Sequence, residues 1–344
     1  MTGLFSKLRS IFNNKSGPTP TSKEAPTANP KETEKPALIT PQNFDTNALN
    51  EQFYQAMLGQ KDDGASISQQ QKLIIQHVEK HLKHSETRIK SVPRLPTIIP
   101  KLLQSLRNPD SSANDYVNIV NKDPSLSTAV MKLANSARYS PSGNTVETID
   151  AAVVKLGIEG LRSVLSLTVM QPLIQRRSFY YSDFGHNIWK HSVCCAMACE
   201  IIAKQRGLEP FKAYLSGLVH DIGKITIFNE LSNQFQKHQE GDPPSYATFT
   251  ELMSSLSKPL SHQIAEDWSL PEEICESLKE QDGFSQADST NPYALTLFHA
   301  NLACEIYAVT QSDDSQQDAL LQIVQQMDVP ENLFETLDAY CADL

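Results

Sequence analysis

Amphipathic stretches with helical spacing follow one another along most of this chain, and each is bounded by a proline, a glycine or a capping residue. One runs from Ile98 to Leu106, and another begins at Asp123, which is followed by a proline that the first turn of a helix tolerates. No series of β-branched residues bounded by hairpin turns interrupts them. The pattern predicts an all-α fold. Further helices are predicted near residues 44–59, 66–84, 113–121, 147–155, 158–173, 184–205, 209–221, 224–236, 246–256, 260–268, 271–280, 291–310, 315–327 and 330–341.

Size and composition indicate a soluble globular protein. The chain has 344 residues, 40% of them apolar, which suffices for one large domain or two smaller ones with a sizeable core. No stretch approaches the roughly 18 to 20 uninterrupted apolar residues of a membrane span, and the N-terminus lacks the pattern of a secretory signal. The six cysteines lie in helical patterns without the paired spacing of a zinc site. We therefore expect a cytoplasmic protein with reduced, buried thiols.

The N-terminal quarter of the chain is built differently from the rest. Residues 1–15 combine an apolar stripe with basic residues, which predicts an amphipathic helix that binds a membrane surface or a partner weakly, or else a frayed arm. Residues 16–43 are rich in proline, threonine and serine and predict a disordered linker. Residues 44–85 regain helical spacing in a polar context. We interpret them as a helical extension that packs against the main domain.

Charge is distributed unevenly along the chain. Residues 1–36 hold six basic and three acidic residues, a net charge of +3. Because the whole chain has a net charge of −10, residues 37–344 carry −13. Most of the affinity of proteins for nucleic acids comes from neutralising phosphates with basic side chains. An acidic body therefore argues against broad nucleic-acid binding.

A histidine and a carboxylate stand side by side at His220 and Asp221, in the run GLVHDIGK at residues 217–224. His191 lies in the preceding long helix, so two crossing helices could present three ligands to a divalent metal. Gly223 is expected to let the backbone turn away after the pair, and Lys224 to neutralise a phosphate oxygen. The alternative is a buried polar cluster in which these side chains only hold helices together.

These residues resemble the HD superfamily of metal-dependent phosphohydrolases, whose pattern is a histidine, a His-Asp pair and a distant aspartate. Upstream segments at 95–96, 121–126 (NKDPSL), 133–137 (LANSA) and 151–157 narrow the resemblance to the HDOD family, a relative that is non-catalytic or of uncertain activity. The resemblance implies a multi-helical HD-like bundle with an upstream helical subdomain. We assign residues 86–310 to this domain and residues 311–344 to C-terminal helices that pack on it.

The chain departs from the catalytic pattern at the last ligand. The matching position is Asn301, which offers a neutral carbonyl oxygen where the hydrolases have a carboxylate, so a cation should bind more weakly. His262 resembles an additional histidine of the HD-GYP cyclic-dinucleotide phosphodiesterases. The following His-His pair of that family is replaced by Gln281 and Asp282, and no Gly-Tyr-Pro signature follows. We therefore interpret these three residues and Lys224 as candidates for binding rather than catalysis.

Two functions remain open from the sequence. The first is a non-catalytic module for signal transduction that binds a signalling protein or a small effector, as the HDOD resemblance implies. It requires no cofactor. The alternative is a metal-dependent phosphohydrolase acting on a nucleotide or phosphodiester, which would hold Fe, Mn, Zn, Ni or Mg at His191, His220, Asp221 and Asn301.

Overall fold

The computed structural model describes residues 46–62, 64–105, 113–136, 139–140, 143–175, 178–237, 244–284, 289–312 and 317–341. These residues form fifteen helices and no strand, which confirms the all-α prediction. The predictions for residues 1–15 and 16–43 lie outside the described residues, and the domain limits remain predictions. The helices are α1 (Thr46–Leu58), α2 (Gln69–Lys83), α3 (Ser85–Ser91), α4 (Ile98–Ser105), α5 (Ala113–Val120), α6 (Pro124–Ala134), α7 (Ile149–Ile174), α8 (Phe184–Gln205), α9 (Pro210–Val219), α10 (Ile222–Lys237), α11 (Tyr246–Asp267), α12 (Glu272–Lys279), α13 (Pro292–Ser312), α14 (Gln317–Gln326) and α15 (Leu333–Cys341).

Local capping explains where several helices begin. The Asp123 carboxylate accepts hydrogen bonds from the first backbone N–H groups of α6, and Thr148 caps α7 in the same way. Ser68 and Gln71 form a reciprocal capping box at the start of α2. Asn135 holds the turn after α6, because its side chain bonds both the N–H and the carbonyl of Val146. The upstream motif residues 123 and 135 thus serve as cap and turn determinants.

Helix α8 lies at the centre of the fold. Almost every residue from Ile188 to Ala203 is buried, and the helix packs against α1, α7, α9, α13 and α15. Such burial on all sides matches its nearly unbroken apolar sequence. Helices α2 and α3 lie elsewhere, against α10 and α11 and against each other. Any polar side chain on α8 is consequently enclosed by several helices.

Three local predictions need comment. Gly157 interrupts α7 with φ 66° and ψ 177°, as expected of a break there. The predicted break between helices 246–256 and 260–268 is wrong, because α11 continues through Pro259. An internal proline costs about 3 kcal/mol, and the packing of buried Leu256, Leu260 and Ile264 offsets that cost. The expectation of reduced thiols is wrong for Cys194, which is disulfide-bonded. Four other cysteines are free and buried: Cys195, Cys199, Cys275 and Cys304.

No helix in the described part of the chain combines the length and apolarity needed to cross a bilayer.

Candidate metal centre

Two glycines set the helix crossings that build the site. A Cβ on Gly217 in α9 would lie 2.6 Å from the carbonyl oxygen of Cys195 in α8, and one on Gly223 would lie 2.1 Å from the carbonyl oxygen of Ser257 in α11. The Gly223 N–H also donates to Ser261 Oγ at 2.9 Å. Gly223 therefore lies inside α10 and permits close packing, so the predicted turn after the pair is wrong.

Four side chains from α8, the α9–α10 junction and α13 converge at one point. His191 Nε2 lies 3.3 Å from His220 Nε2, 3.5 Å from Asp221 Oδ2 and 3.1 Å from Asn301 Oδ1. His220 Nε2 lies 3.3 Å from Asp221 Oδ2. Both histidines and the aspartate are buried. The structure thus brings together all four residues that the sequence nominated as ligands, and we call them the His-Asp-Asn cluster.

Hydrogen bonds outside the cluster orient its ligand atoms. His220 Nδ1 donates to the Gly217 carbonyl at 2.8 Å, which turns Nε2 toward the centre of the cluster. Asn301 Nδ2 donates to Glu305 Oε1 at 2.9 Å, which directs Asn301 Oδ1 inward. Such outer contacts are typical of residues that bind metals.

The cluster fits a divalent cation by its donor set and spacing. Ligands about 2.0–2.2 Å from an ion lie about 2.8–3.6 Å from one another at right-angle or tetrahedral arrangements. The four measured separations, 3.1–3.5 Å, fall in that interval. Asp221 Oδ2 is buried, and in the described part of the chain it faces only the Nε2 atoms of the two histidines, as expected of an oxygen that shares a cation with them. His191, His220 and Asp221 form a group able to hold a metal.

Electrostatics inside the cluster favour a positive charge at its centre. Burial lowers the pKa of His191 to about 4, so this ring is neutral. Burial alone would also lower the pKa of His220, but Asp221 and Cys195 together outweigh burial and hold that pKa well above its usual range. Conversely, His220 and Lys224 overcome the effect of burial and keep the pKa of Asp221 well below its usual range. Asp221 is therefore ionised.

Lys224 would compete with a metal ion for the Asp221 carboxylate. Its Nζ donates to Asp221 Oδ1 at 2.7 Å, and the side chain is buried. Burial would lower the pKa of Lys224, but Asp221 raises it above its ordinary value. The one carboxylate of the cluster is thus already paired with a cation.

Helix α1 covers this site with two aromatic rings. The Phe53 ring centroid lies 4.7 Å from that of His191, and Lys224 Nζ lies 5.0 Å from the Phe53 centroid and 5.9 Å from that of Tyr54. A cavity of about 180 Å³ adjoins the site, and its lining includes Met57, Asn187, Lys190, His191, Tyr307 and Gln311.

The other predicted binding residues lie outside this cluster. His262 Nε2 faces Glu266 on its own helix at 3.5 Å. Gln281 Nε2 donates to the carbonyls of Ser277 and Ala294, which joins the ends of α12 and α13, and Asp282 is exposed in the turn that follows. Neither Gln281 nor Asp282 forms a hydrogen bond or ion pair with the cluster in the described part of the chain.

Three residues of the site were not found from the sequence. Phe53 and Tyr54 belong to the buried stripe of α1, whose helical spacing was recognised but whose docking position was not. Glu305 lies one helical turn after Asn301, and this i, i+4 spacing could have indicated that it faces the same side.

The comparisons identify the class of protein. Residues 92–284 match the HDOD domain, more than half of the chain, and the chain belongs to this family. It is 21% identical to a Shewanella amazonensis protein that carries the provisional name of a metal-dependent phosphohydrolase, with a TM-score of 0.59 over 79% of this chain and 98% of that one. It is 22% identical to an HDOD domain protein of unknown function from Geobacter sulfurreducens, with a TM-score of 0.54 over 77% of this chain and 96% of that one. These likenesses establish the fold.

Curated relatives match over shorter shares of their length. An uncharacterised protein of Treponema pallidum is 23% identical over 62% of this chain and 42% of its own length. Ribonuclease Y of Clostridium novyi is 28% identical over 28% of this chain and 18% of its own length. The chain spans less than half the length of both relatives.

Proposed function

We propose that this protein is a bacterial, cytoplasmic signal-transduction module whose HDOD domain acts as a non-catalytic scaffold for a signalling protein or a small effector. The observation that carries the proposal is the charge of the site. Asp221 is the one carboxylate of the His-Asp-Asn cluster, and Lys224 already neutralises it at 2.7 Å. The cluster keeps the shape of a metal centre with little net negative charge to attract a divalent ion.

A divalent cation would be held by His191, His220, Asp221 and Asn301. Bound there, it would polarise a phosphate oxygen and lower the pKa of a water molecule. In its absence the protonated His220 supplies the positive charge that Asp221 favours. Proton and metal compete for the same nitrogen, which weakens metal binding further.

Recruitment fits the remaining parts of the chain. The acidic body disfavours broad nucleic-acid binding. The amphipathic stripe proposed for residues 1–15 would add a weak contact with a membrane surface or a partner, and a tether raises the local concentration of whatever it holds.

A metal-dependent phosphohydrolase is the second candidate. Ligand atoms of His220, Asp221 and Asn301 that each lie 3.1–3.5 Å from His191 Nε2 favour it. The names of the Shewanella relative and of ribonuclease Y suggest phosphate esters or RNA as substrates.

Metal analysis and a phosphodiesterase assay separate these candidates. The full-length protein is loaded with Mn²⁺ or Fe²⁺, desalted, and assayed for bound metal and for hydrolysis of bis(p-nitrophenyl) phosphate, with His220→Ala as the matched control. We expect substoichiometric metal and no hydrolysis above the control. Asn301→Asp should tighten Mn²⁺ binding about tenfold, because it adds a carboxylate. Hydrolysis by the wild type that His220→Ala abolishes would establish the phosphohydrolase instead.

A gene-replacement experiment tests the scaffold role. Transcript profiles are compared among wild-type cells, a deletion strain and a strain carrying His220→Gln at normal protein level. We expect the His220→Gln profile to match the wild type and the deletion profile to differ. A His220→Gln strain indistinguishable from the deletion, together with hydrolysis by the wild-type protein that His220→Gln abolishes, would contradict a non-catalytic role.

A further inference from the structure

The cover over the His-Asp-Asn cluster comes from outside the HDOD match. The match begins at residue 92, whereas Phe53 and Tyr54 belong to α1, at residues 46–58. Both rings are almost fully buried, at 0% and 3% exposure, and they lie over Lys224. A segment upstream of the HDOD match thus covers Lys224 and the His-Asp-Asn cluster.

Helix α1 is attached by a buried stripe and by hydrogen bonds to its own carbonyl groups. The stripe consists of Leu49, Phe53, Tyr54, Met57 and Leu58. Asn187 Nδ2 donates to the carbonyls of Ala56 and Met57 at 3.0 and 3.1 Å, and Tyr246 Oη donates to that of Glu51 at 3.2 Å. None of these hydrogen bonds involves a ligand atom of the cluster.

The connection from α1 to α2 allows α1 to move separately. Residues 59–62 and 64–66 are exposed, and Gly59 and Gly64 have φ values of 68°. A Cβ on Gly64 would meet no atom within 4 Å. Helix α2 packs on α10 and α11, whereas α1 packs on α8 and α13. Undocking α1 therefore requires no change in the packing of α2.

We propose that α1 is an autoinhibitory cap that occupies the position of a phosphate-bearing ligand. Beside its ion pair with Asp221, the Lys224 ammonium makes cation–π contacts with Phe53 and Tyr54, and a phosphate oxygen would replace these two rings once α1 leaves. Phosphate and α1 then exclude each other. This inference rests on the proposed role of the site in binding an effector, and it adds the means by which binding is controlled.

The accessibility of Lys224 tests the cap without requiring any metal. Full-length protein is treated with acetic anhydride, and acetylation of Lys224 is followed by peptide mass spectrometry. We expect Phe53→Ala to accelerate acetylation at least tenfold. Asn187→Ala, which keeps both rings and removes two hydrogen bonds, should give a smaller acceleration. Phe235→Ala is the control, because it removes an equally buried ring at the far end of α10. Equal rates in the Phe53→Ala, Phe235→Ala and wild-type proteins would overturn the proposal.

Phosphate binding provides a second test of the cap. Calorimetry with inorganic phosphate, with and without Mn²⁺, should show at least tenfold tighter binding to Phe53→Ala than to the wild type, with Phe235→Ala unchanged. Phosphate should also accelerate hydrogen exchange of α1 while leaving α8 unchanged. Phosphate that binds wild type and Phe53→Ala equally overturns the cap. Mn²⁺ that binds neither protein, together with faster acetylation of Phe53→Ala, contradicts the cation site and supports the cap.

Discussion

Replacing Gly223 with alanine tests whether close packing of α10 on α11 builds the site. The new Cβ would lie 2.1 Å from the Ser257 carbonyl oxygen and 2.8 Å from Ser261 Oγ. The Ser257 atom is a backbone carbonyl oxygen, which cannot rotate away as a side chain can. The clash is therefore removed only if α10 and α11 separate by about 1 Å, which restores an ordinary contact distance. Separation would also weaken the hydrogen bond from the Gly223 N–H to Ser261.

The expected magnitude follows from three effects. Overpacking costs about 1–3 kcal/mol, and loss of the hydrogen bond costs about 1 kcal/mol. Alanine regains about 1 kcal/mol of helix propensity relative to glycine. We therefore expect Gly223→Ala to lower the free energy of unfolding by about 1–3 kcal/mol. Because Asp221 immediately precedes α10, its displacement should also weaken Mn²⁺ binding.

Gly160→Ala in α7 is the matched control for this substitution. Its Cβ would meet Tyr139 Oη at 2.9 Å, the far end of a side chain that can move, so a change within about 1 kcal/mol is expected. Urea denaturation followed by circular dichroism measures both variants. If Gly223→Ala proves as stable as Gly160→Ala, the close-packing role assigned to Gly223 is wrong.

Three further expectations concern stability. Arg88→Met should cost about 1–3 kcal/mol in urea denaturation, because Arg88 is buried and donates to Asp267 and Gln263; an unchanged midpoint would contradict this. Asp123→Ala should cost about 1 kcal/mol by removing the cap of α6, whereas Asp150→Ala, which removes no cap, serves as its control. Burial, and after it the neighbouring Arg206, lower the pKa of His299 to about 4. The folded protein therefore favours the neutral ring, and this contribution to stability is fully present above pH 6.5. It is lost as the pH falls toward 4, and the loss amounts to about 3 kcal/mol of unfolding free energy. Thermal unfolding of His299→Gln from pH 7 to pH 4 should show a smaller decline than the wild type, and an equal decline would refute this role.

Local sequence signals predict most of the helices because helix ends are decided by nearby residues. The predicted span of α8, 184–205, agrees with the structure. The error at Pro259 arises because a proline disfavours a helix locally, while the burial of α11 against α10 and α12 is decided by residues distant in sequence. Local rules therefore fail where tertiary packing outweighs a cost of about 3 kcal/mol.

The candidate ligands are predictable from the sequence, but their surroundings are not. The helical pattern indicated His191, His220 and Asp221 as ligands, and the resemblance to the HD superfamily added Asn301. Gly223 is an example, because glycine occurs both in tight turns and at close contacts between helices. The sequence alone does not indicate which of these two roles a glycine has. The hydrogen bonds of Gln281 to backbone carbonyls depend on where α12 meets α13.

Access to the cluster is set by a part of the chain that the metal-binding pattern does not include. The apolar stripe of α1 predicted that one face of this helix would be buried. Because the connection from α1 to α2 is exposed, the sequence does not predict where on the domain α1 packs. Once docked, its aromatic rings lie over Lys224, which in turn neutralises Asp221. Removal of α1 would expose the Lys224 ammonium, which is a group that a phosphate recognises. The same helix can therefore stabilise the fold and determine whether the site is available.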